Sequence, residues 1–195
     1  PGTSYSAVMR RVNTGFRTVA RNVSTRGSPW LWWEPDAIPL KRGWVDTLLQ
    51  QYKAGLRLFM GPKVGTTHIN GMSIYPPYPE FFAPAITTTT VEAWDCAAGK
   101  QMIPLTTDAS RSMPAIWAGD TDGIQVKTRA ELDALITRES VLLHRCKDGS
   151  VTKVLRNKKK RGTHAYIELG RYGDIINLLP ELKKVPTAQG EPVNV

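Results

Sequence analysis

Glu34 and Asp36 stand one residue apart in WLWWEPDAIPL (30–40), directly after the apolar run 30–33. A short aromatic-rich apolar run bounded by Pro and Gly reads as a buried strand. Ligands of open α/β sheets gather at the carboxyl ends of their strands. Two carboxylates placed there both reach a hard divalent cation, because such ions take oxygen ligands. Pro35 ends strand pairing and fixes the backbone between the two acids. The residues alone leave a plainer alternative open, in which Glu34 begins a solvated loop and Asp36 caps the next helix.

Two further groups of chemistry-bearing residues lie downstream. HINGMSIYPP (68–77) carries His68, Asn70 and Gly71, and VLLHRCKDGS (141–150) carries His144 and Lys147. Asn-Gly is also the dipeptide favoured in type I′ hairpin turns. A histidine taken by itself is more often an interior or surface imidazole than a ligand.

The elements that must position these groups follow from periodicity. Thr3 or Ser4 can cap a first helix reaching residue 23. In it Ala7, Val8, Val12, Phe16, Val19 and Ala20 form the apolar face, with Arg10, Arg11, Arg17 and Arg21 mostly opposite. It feeds the strand at Trp30, expected to be central, and no earlier strand is present, so the α/β sheet reads as incomplete at its N-terminal side. Trp30, Trp32 and Trp33 are expected in the core, since successive strand residues alternate faces.

A second helix is expected over 41–54, with Trp44, Val45, Leu48, Leu49 and Tyr52 at helical spacing. A strand follows over 56–60, and a strand-like run over 66–75 is interrupted at Asn70-Gly71. Residues 80–124 show no clear period. Thr128 and Glu131 stand at capping-box spacing ahead of a helix over 128–136. Residues 140–146 read as a strand, KDGS as a turn, and 151–155 as the start of a helix. An apolar pattern covers 166–179, and a loose tail is expected from Pro186.

The chain has 195 residues, 41% hydrophobic and 22% charged, which fits one globular domain with a real core. No apolar stretch reaches membrane-spanning length and no signal-peptide pattern opens the chain. The two cysteines, Cys96 and Cys146, make no CxxC pair. A reducing, cytoplasmic setting and no membrane partner are therefore expected. The net charge of +9 suits polyanionic partners, either nucleic acid or phosphorylated small molecules. Much of it is local: Lys153, Arg156, Lys158, Lys159, Lys160 and Arg161 fall within nine residues. Such a run is commonly a solvated face. Its functional reading is phosphate contact with nucleic acid.

Taken together, these segments resemble nucleotide-sugar glycosyltransferases of the GT-A class, in particular small phage and viral members. Glu34-Pro35-Asp36 is similar to the family's DxD motif, with Glu in place of the first Asp. HINGMSIYPP is similar to the strand-borne segment of the glycogenin-like branch, and VLLHRCKDGS matches a late His followed by Lys. The likeness covers about residues 5–150. It implies an N-terminally incomplete, GT-A-like (Rossmann-like) mixed sheet flanked by helices over 1–157, with a basic extension over 158–195. It implies Glu34, Asp36 and His144 as ligands of Mn²⁺ or Mg²⁺, Lys147 on the donor's diphosphate, and Asn70 and Gly71 beside the donor sugar. It implies Asp95 as the base on an acceptor hydroxyl if the reaction inverts, with Asp108 and Asp120 in reserve.

The chemistry agrees with that assignment. A cation and a Lys neutralise a departing diphosphate without proton transfer. Of the two ions, Mn²⁺ is better disposed to an imidazole nitrogen. The acceptor the resemblance implies is a hydroxyl, of a glycan or of a hydroxymethylated DNA base held by Lys158, Lys159, Lys160 and Arg161. Two rival expectations remain: a basic nucleic-acid-binding domain with structural carboxylates, or an inactive GT-A fragment.

Overall fold

The computed structural model describes residues 5–89, 92–115 and 123–157. The chain opens with α1 (Tyr5–Ser24), which buries Asn13, Phe16, Ala20 and Ser24 at three- and four-residue steps. The helix forms as its sequence indicates, but its inward face is rotated. Val8, Val12 and Val19 are exposed, and the polar Asn13 takes a core position because its carboxamide is fully used there. Its Nδ2 donates to Glu92 O at 2.7 Å and its Oδ1 accepts from Trp94 N at 3.1 Å. A buried polar group with both ends paired is tolerated.

The strands β1 (Trp30–Leu31), β2 (Ile38–Pro39), β3 (Phe59–Gly61), β4 (Lys63–Val64), β5 (His68–Ile69) and β6 (Ile74–Tyr75) are short. Between β2 and β3 lies α2 (Trp44–Gly55). Then come α3 (Ala85–Thr88), α4 (Trp94–Ala97), α5 (Gly99–Met102), β7 (Thr106–Asp108), α6 (Arg129–Leu135), β8 (Leu142–Leu143) and α7 (Ser150–Asn157). The main sheet has the order β1-β6-β3-β7. β6 runs antiparallel to both β1 and β3, and β3 runs parallel to β7. The protein is therefore mixed α/β, and β1 stands at an edge of this sheet rather than at its centre.

Alternation along the strands sorts the core into two sides. Trp30, Phe59 and Tyr75 pack with Phe16 and Ala20 of α1, and Trp32 joins them. Met60 and Ile74 pack with Leu48 of α2, and Leu31 and Trp33 join that side. A third group, including Leu132, Leu143, Val151 and Val154, binds α6 and α7 to β8.

Several local readings shift. The expected strand at 56–60 begins only at Phe59, because Leu56 ends α2 in the left-handed region with φ 50 and is 90% exposed. The run at 66–75 is no hairpin: β5 pairs with β4, whereas β6 pairs with β1 and β3. Asn70 and Gly71 both lack the positive φ that a type I′ turn requires. Instead Asn70 Oδ1 accepts from Met72 N at 3.0 Å and Ser73 Oγ donates to Asn70 O at 2.5 Å, which turns the chain locally.

At α6 Thr128 caps the helix as its spacing indicates, while the Glu131 carboxylate reaches one residue further back than a capping box requires. Thr128 Oγ1 accepts from Glu131 N at 3.2 Å, and the Glu131 carboxylate accepts from Lys127 N at 2.7 Å. Thr3, Ser4, Asp120, the basic run 158–161, the apolar pattern at 166–179 and the tail lie outside the described residues. Among the described residues no helix is long and apolar enough to cross a membrane, and both cysteines are free thiols.

Candidate metal and ligand site

The site begins with a turn that the sequence builds. Ala37 N donates to Glu34 O at 3.0 Å, closing a four-residue turn with Pro35 at its second position, where a fixed φ is favoured. From there the chain enters β2, which pairs antiparallel with β8, Ile38 opposite Leu143. Leu40 N donates to Val141 O at 2.9 Å and Cys146 N to Asp36 O at 2.8 Å, fastening the acidic turn to the β8 segment on both sides.

That pairing carries His144, one residue past β8, to the two acids. Its Nε2 lies 2.9 Å from Glu34 Oε2 and 3.1 Å from Asp36 Oδ1. The His144 side chain is 6% exposed, and those of Glu34 and Asp36 are 29% and 20% exposed. The imidazole therefore forms a floor, with the carboxylates at a rim that reaches solvent. His144 N donates to Pro114 O at 3.2 Å, which steadies the floor from the other side. Arg145, the next residue, holds φ 71. Left-handed backbone at a non-glycine residue costs about 1–3 kcal/mol and tends to cluster at functional sites. Here it turns the chain so that Arg145 O accepts from Ile124 N at 2.8 Å while Cys146 N stays on Asp36 O.

Gly71, Trp94 and Asp95 adjoin Glu34 on a second side. A Cβ on Gly71 would stand 2.9 Å from Glu34 Oε1, 3.2 Å from Trp94 and 3.3 Å from Asp95 Oδ2. A side chain at this position would push the flexible Glu34 carboxylate aside and press Trp94 and Asp95 back by a few tenths of an ångström. Tyr75 braces them: its hydroxyl donates to Gly71 O at 3.0 Å and accepts from Trp94 Nε1 at 3.1 Å. Burial pushes the Tyr75 phenol well above its ordinary range, with the Asp95 charge adding to it, so it remains a proton donor.

Asp95 is the carboxylate whose environment raises its pKa. Burial is the largest cause and Glu34 adds to it, while the Cys96 N–H and His68 oppose them. A carboxylate raised in this way is a better base near neutrality than an ordinary one. Asp108 behaves oppositely. Burial would raise it, but the Ser110 hydroxyl at 2.5 Å, Ser110 N at 2.9 Å and Lys63 N at 3.3 Å hold it below its ordinary value. It lines a separate cavity of about 430 Å³ with Met60, Ser110 and Arg111, which none of Glu34, Asp36 and His144 touches.

The structure thus brings Glu34, Asp36 and His144 together and places Gly71 and Asp95 beside Glu34. Asn70 is buried, its carboxamide oxygen bonded to the loop that presents Gly71. Lys147 is exposed on the following turn, its aliphatic stem 3.2 Å from the position of a Cβ on Gly123. His68 lies beside Asp95 and Cys96 rather than at the first cluster.

Sequence reasoning missed Asn13, which pins the start of α4 and so positions Asp95. An Asn within a helical stripe gives no local signal of that role. Asn13→Ala leaves Trp94 N–H unpaired in the core, at an expected cost of about 1–3 kcal/mol. Chemical denaturation checks this, and an unchanged midpoint would contradict it.

Comparison with family models, curated proteins and solved structures gives no match. The fold and geometry therefore define a class only. This is a mixed α/β protein with two carboxylates and an imidazole gathered beyond the carboxyl end of β1.

Proposed function

We propose that the chain is a metal-dependent glycosyltransferase, moving a sugar from a nucleoside-diphosphate donor to a hydroxyl acceptor. One observation carries the reading: His144 meets Glu34 across 110 residues of sequence, with Asp36 beside it. These three side chains offer ligand atoms within 4.8 Å of one another. Two carboxylate oxygens and one imidazole nitrogen fit Mn²⁺ or Mg²⁺, with the nitrogen favouring Mn²⁺.

Glu34, Asp36 and His144 would hold that ion. When bound, it supplies positive charge to offset the charge that develops on a departing diphosphate. Lys147, three residues beyond His144, contributes a flexible point charge toward phosphate. Gly71 lets Glu34, Trp94 and Asp95 close onto its backbone on the side assigned to the donor sugar, and Asn70 shapes the loop that carries it. In an inverting reaction Asp95 takes the proton of the acceptor hydroxyl. The net charge of +9 favours a polyanionic acceptor, such as DNA bearing hydroxymethylated bases.

The test is release of nucleoside diphosphate from a panel of UDP- and GDP-sugars, with glycan and hydroxymethylated-DNA acceptors. Release that requires Mn²⁺ and stops on chelation supports the reading; no release from any donor contradicts it. Gly71→Ala should keep the fold but crowd the Glu34 carboxylate. The expected result is a KM for the sugar nucleotide raised about tenfold, equivalent to about 1.4 kcal/mol. An unchanged KM would remove Gly71 from the site.

A further inference from the structure

A second group of ligating side chains lies outside the cluster of Glu34, Asp36 and His144. His68 lies on β5, and Asp95 and Cys96 lie in α4, which packs against that strand. One imidazole nitrogen of His68, a carboxylate oxygen of Asp95 and Cys96 Sγ all stand within 4.8 Å of one another. All three residues are half-buried, so the group has a side open to solvent.

The hydrogen bonds around His68 set its tautomer. Thr67 Oγ1 donates its single proton to Val64 O at 2.9 Å. With that proton on Val64 O, the contact with His68 Nδ1, also 2.9 Å, is one in which Nδ1–H donates and the hydroxyl accepts. That leaves Nε2 as the nitrogen with a free lone pair. A hydrogen-bond partner on one ring nitrogen is the usual way a histidine is oriented to ligate through the other. The other side of His68 is closed by Gly99. A Cβ there would overlap Thr67 O and stand 2.7 Å from His68 Cβ, so the chain at α5 comes directly against this residue.

The donor set differs in kind from the first cluster. It combines one nitrogen, one oxygen and one sulfur, and a thiolate selects borderline-soft ions over Mn²⁺ and Mg²⁺. Three protein ligands with a fourth position left to solvent is the arrangement of an open zinc site. We propose that His68, Asp95 and Cys96 form a second cation site that takes Zn²⁺ in preference to Mn²⁺. Binding releases the Cys96 thiol proton to solvent. The inference stands without the transferase reading. If both hold, Zn²⁺ at this site occupies Asp95 and blocks its use as a base.

The experiment is an optical titration of the full chain with Co²⁺, followed by competition with Zn²⁺ or Mn²⁺. The expected result is a saturable thiolate-to-cobalt charge-transfer band that is displaced by Zn²⁺ and resists Mn²⁺. It disappears in Cys96→Ser and in His68→Ala, and persists in Cys146→Ser. Circular dichroism establishes that each variant is folded, and His68→Ala carries the readout should Cys96→Ser lose its fold. No band in the unaltered protein, or a band that survives Cys96→Ser, overturns the proposal. Because the first cluster holds no sulfur, neither result depends on whether the chain transfers sugar.

Discussion

Phe16→Ala should destabilise the protein by about 3–5 kcal/mol, the range for truncating a fully buried aromatic side chain. Phe16 is wholly buried and sits where four other aromatic rings meet. Its centroid lies 4.1 Å from Trp94 in a stacked pair, 5.1 Å from both Trp32 and Tyr75, and 5.5 Å from Trp30. Removing it opens a void among rings held by β1, β6 and α4, and those rings have few ways to collapse inward. Domains are stable by only about 5–15 kcal/mol, so the loss would consume much of the total. A denaturant titration reads it as a lower midpoint, and a loss below about 1 kcal/mol would contradict this view of the core. Trp94 and Tyr75 also brace Gly71 and Asp95, so a loosened Phe16 cluster should weaken ligand binding as well.

Asp36→Ala should abolish metal-dependent nucleotide binding, weakening it at least about 100-fold, or about 2.7 kcal/mol, while leaving the fold in place. The distinction follows from what Asp36 does with each of its parts. Its backbone oxygen accepts from Cys146 N and fastens the turn to the β8 segment, and the substitution keeps that bond. Its carboxylate faces His144 Nε2 at the rim, where it is partly solvated, so its loss creates no sealed cavity. Calorimetry and a denaturation curve on the same preparation separate the two effects. Retained binding would remove Asp36 from the ligand set; an unfolded variant would make its role structural.

The parts of the molecule readable from sequence are those with a local physical signal. In 30–33 the alternation of strand faces sends Trp30 and Trp32 to one side and Leu31 and Trp33 to the other. Thr128 and Glu131 mark the start of α6 because capping is a matter of spacing alone. The inward face of α1 differs from its apolar stripe because Asn13 is recruited by Glu92 and Trp94, partners no helical period can reveal. Asn70-Gly71 by itself favours a hairpin turn, yet β6 is claimed by β1 and β3, and tertiary pairing overrides the dipeptide's preference. The stretch from 80 to 124 was opaque because α3, α4 and α5 are four residues each, too short to show a period. At the site, residue types were legible one by one. The meeting of His144 with Glu34 depends on β2–β8 pairing, and nothing local encodes that register.

The central claim is that Glu34, Asp36 and His144 together create a cation-dependent site for a nucleoside diphosphate. Calorimetric titration of UDP and GDP into the full chain, with and without Mn²⁺, tests it most directly. Binding of at least one nucleotide is expected only when Mn²⁺ is present, and is lost in both Asp36→Ala and His144→Ala. Binding that ignores Mn²⁺, or none in either condition, would contradict it and leave the three side chains as a structural ion-pair cluster.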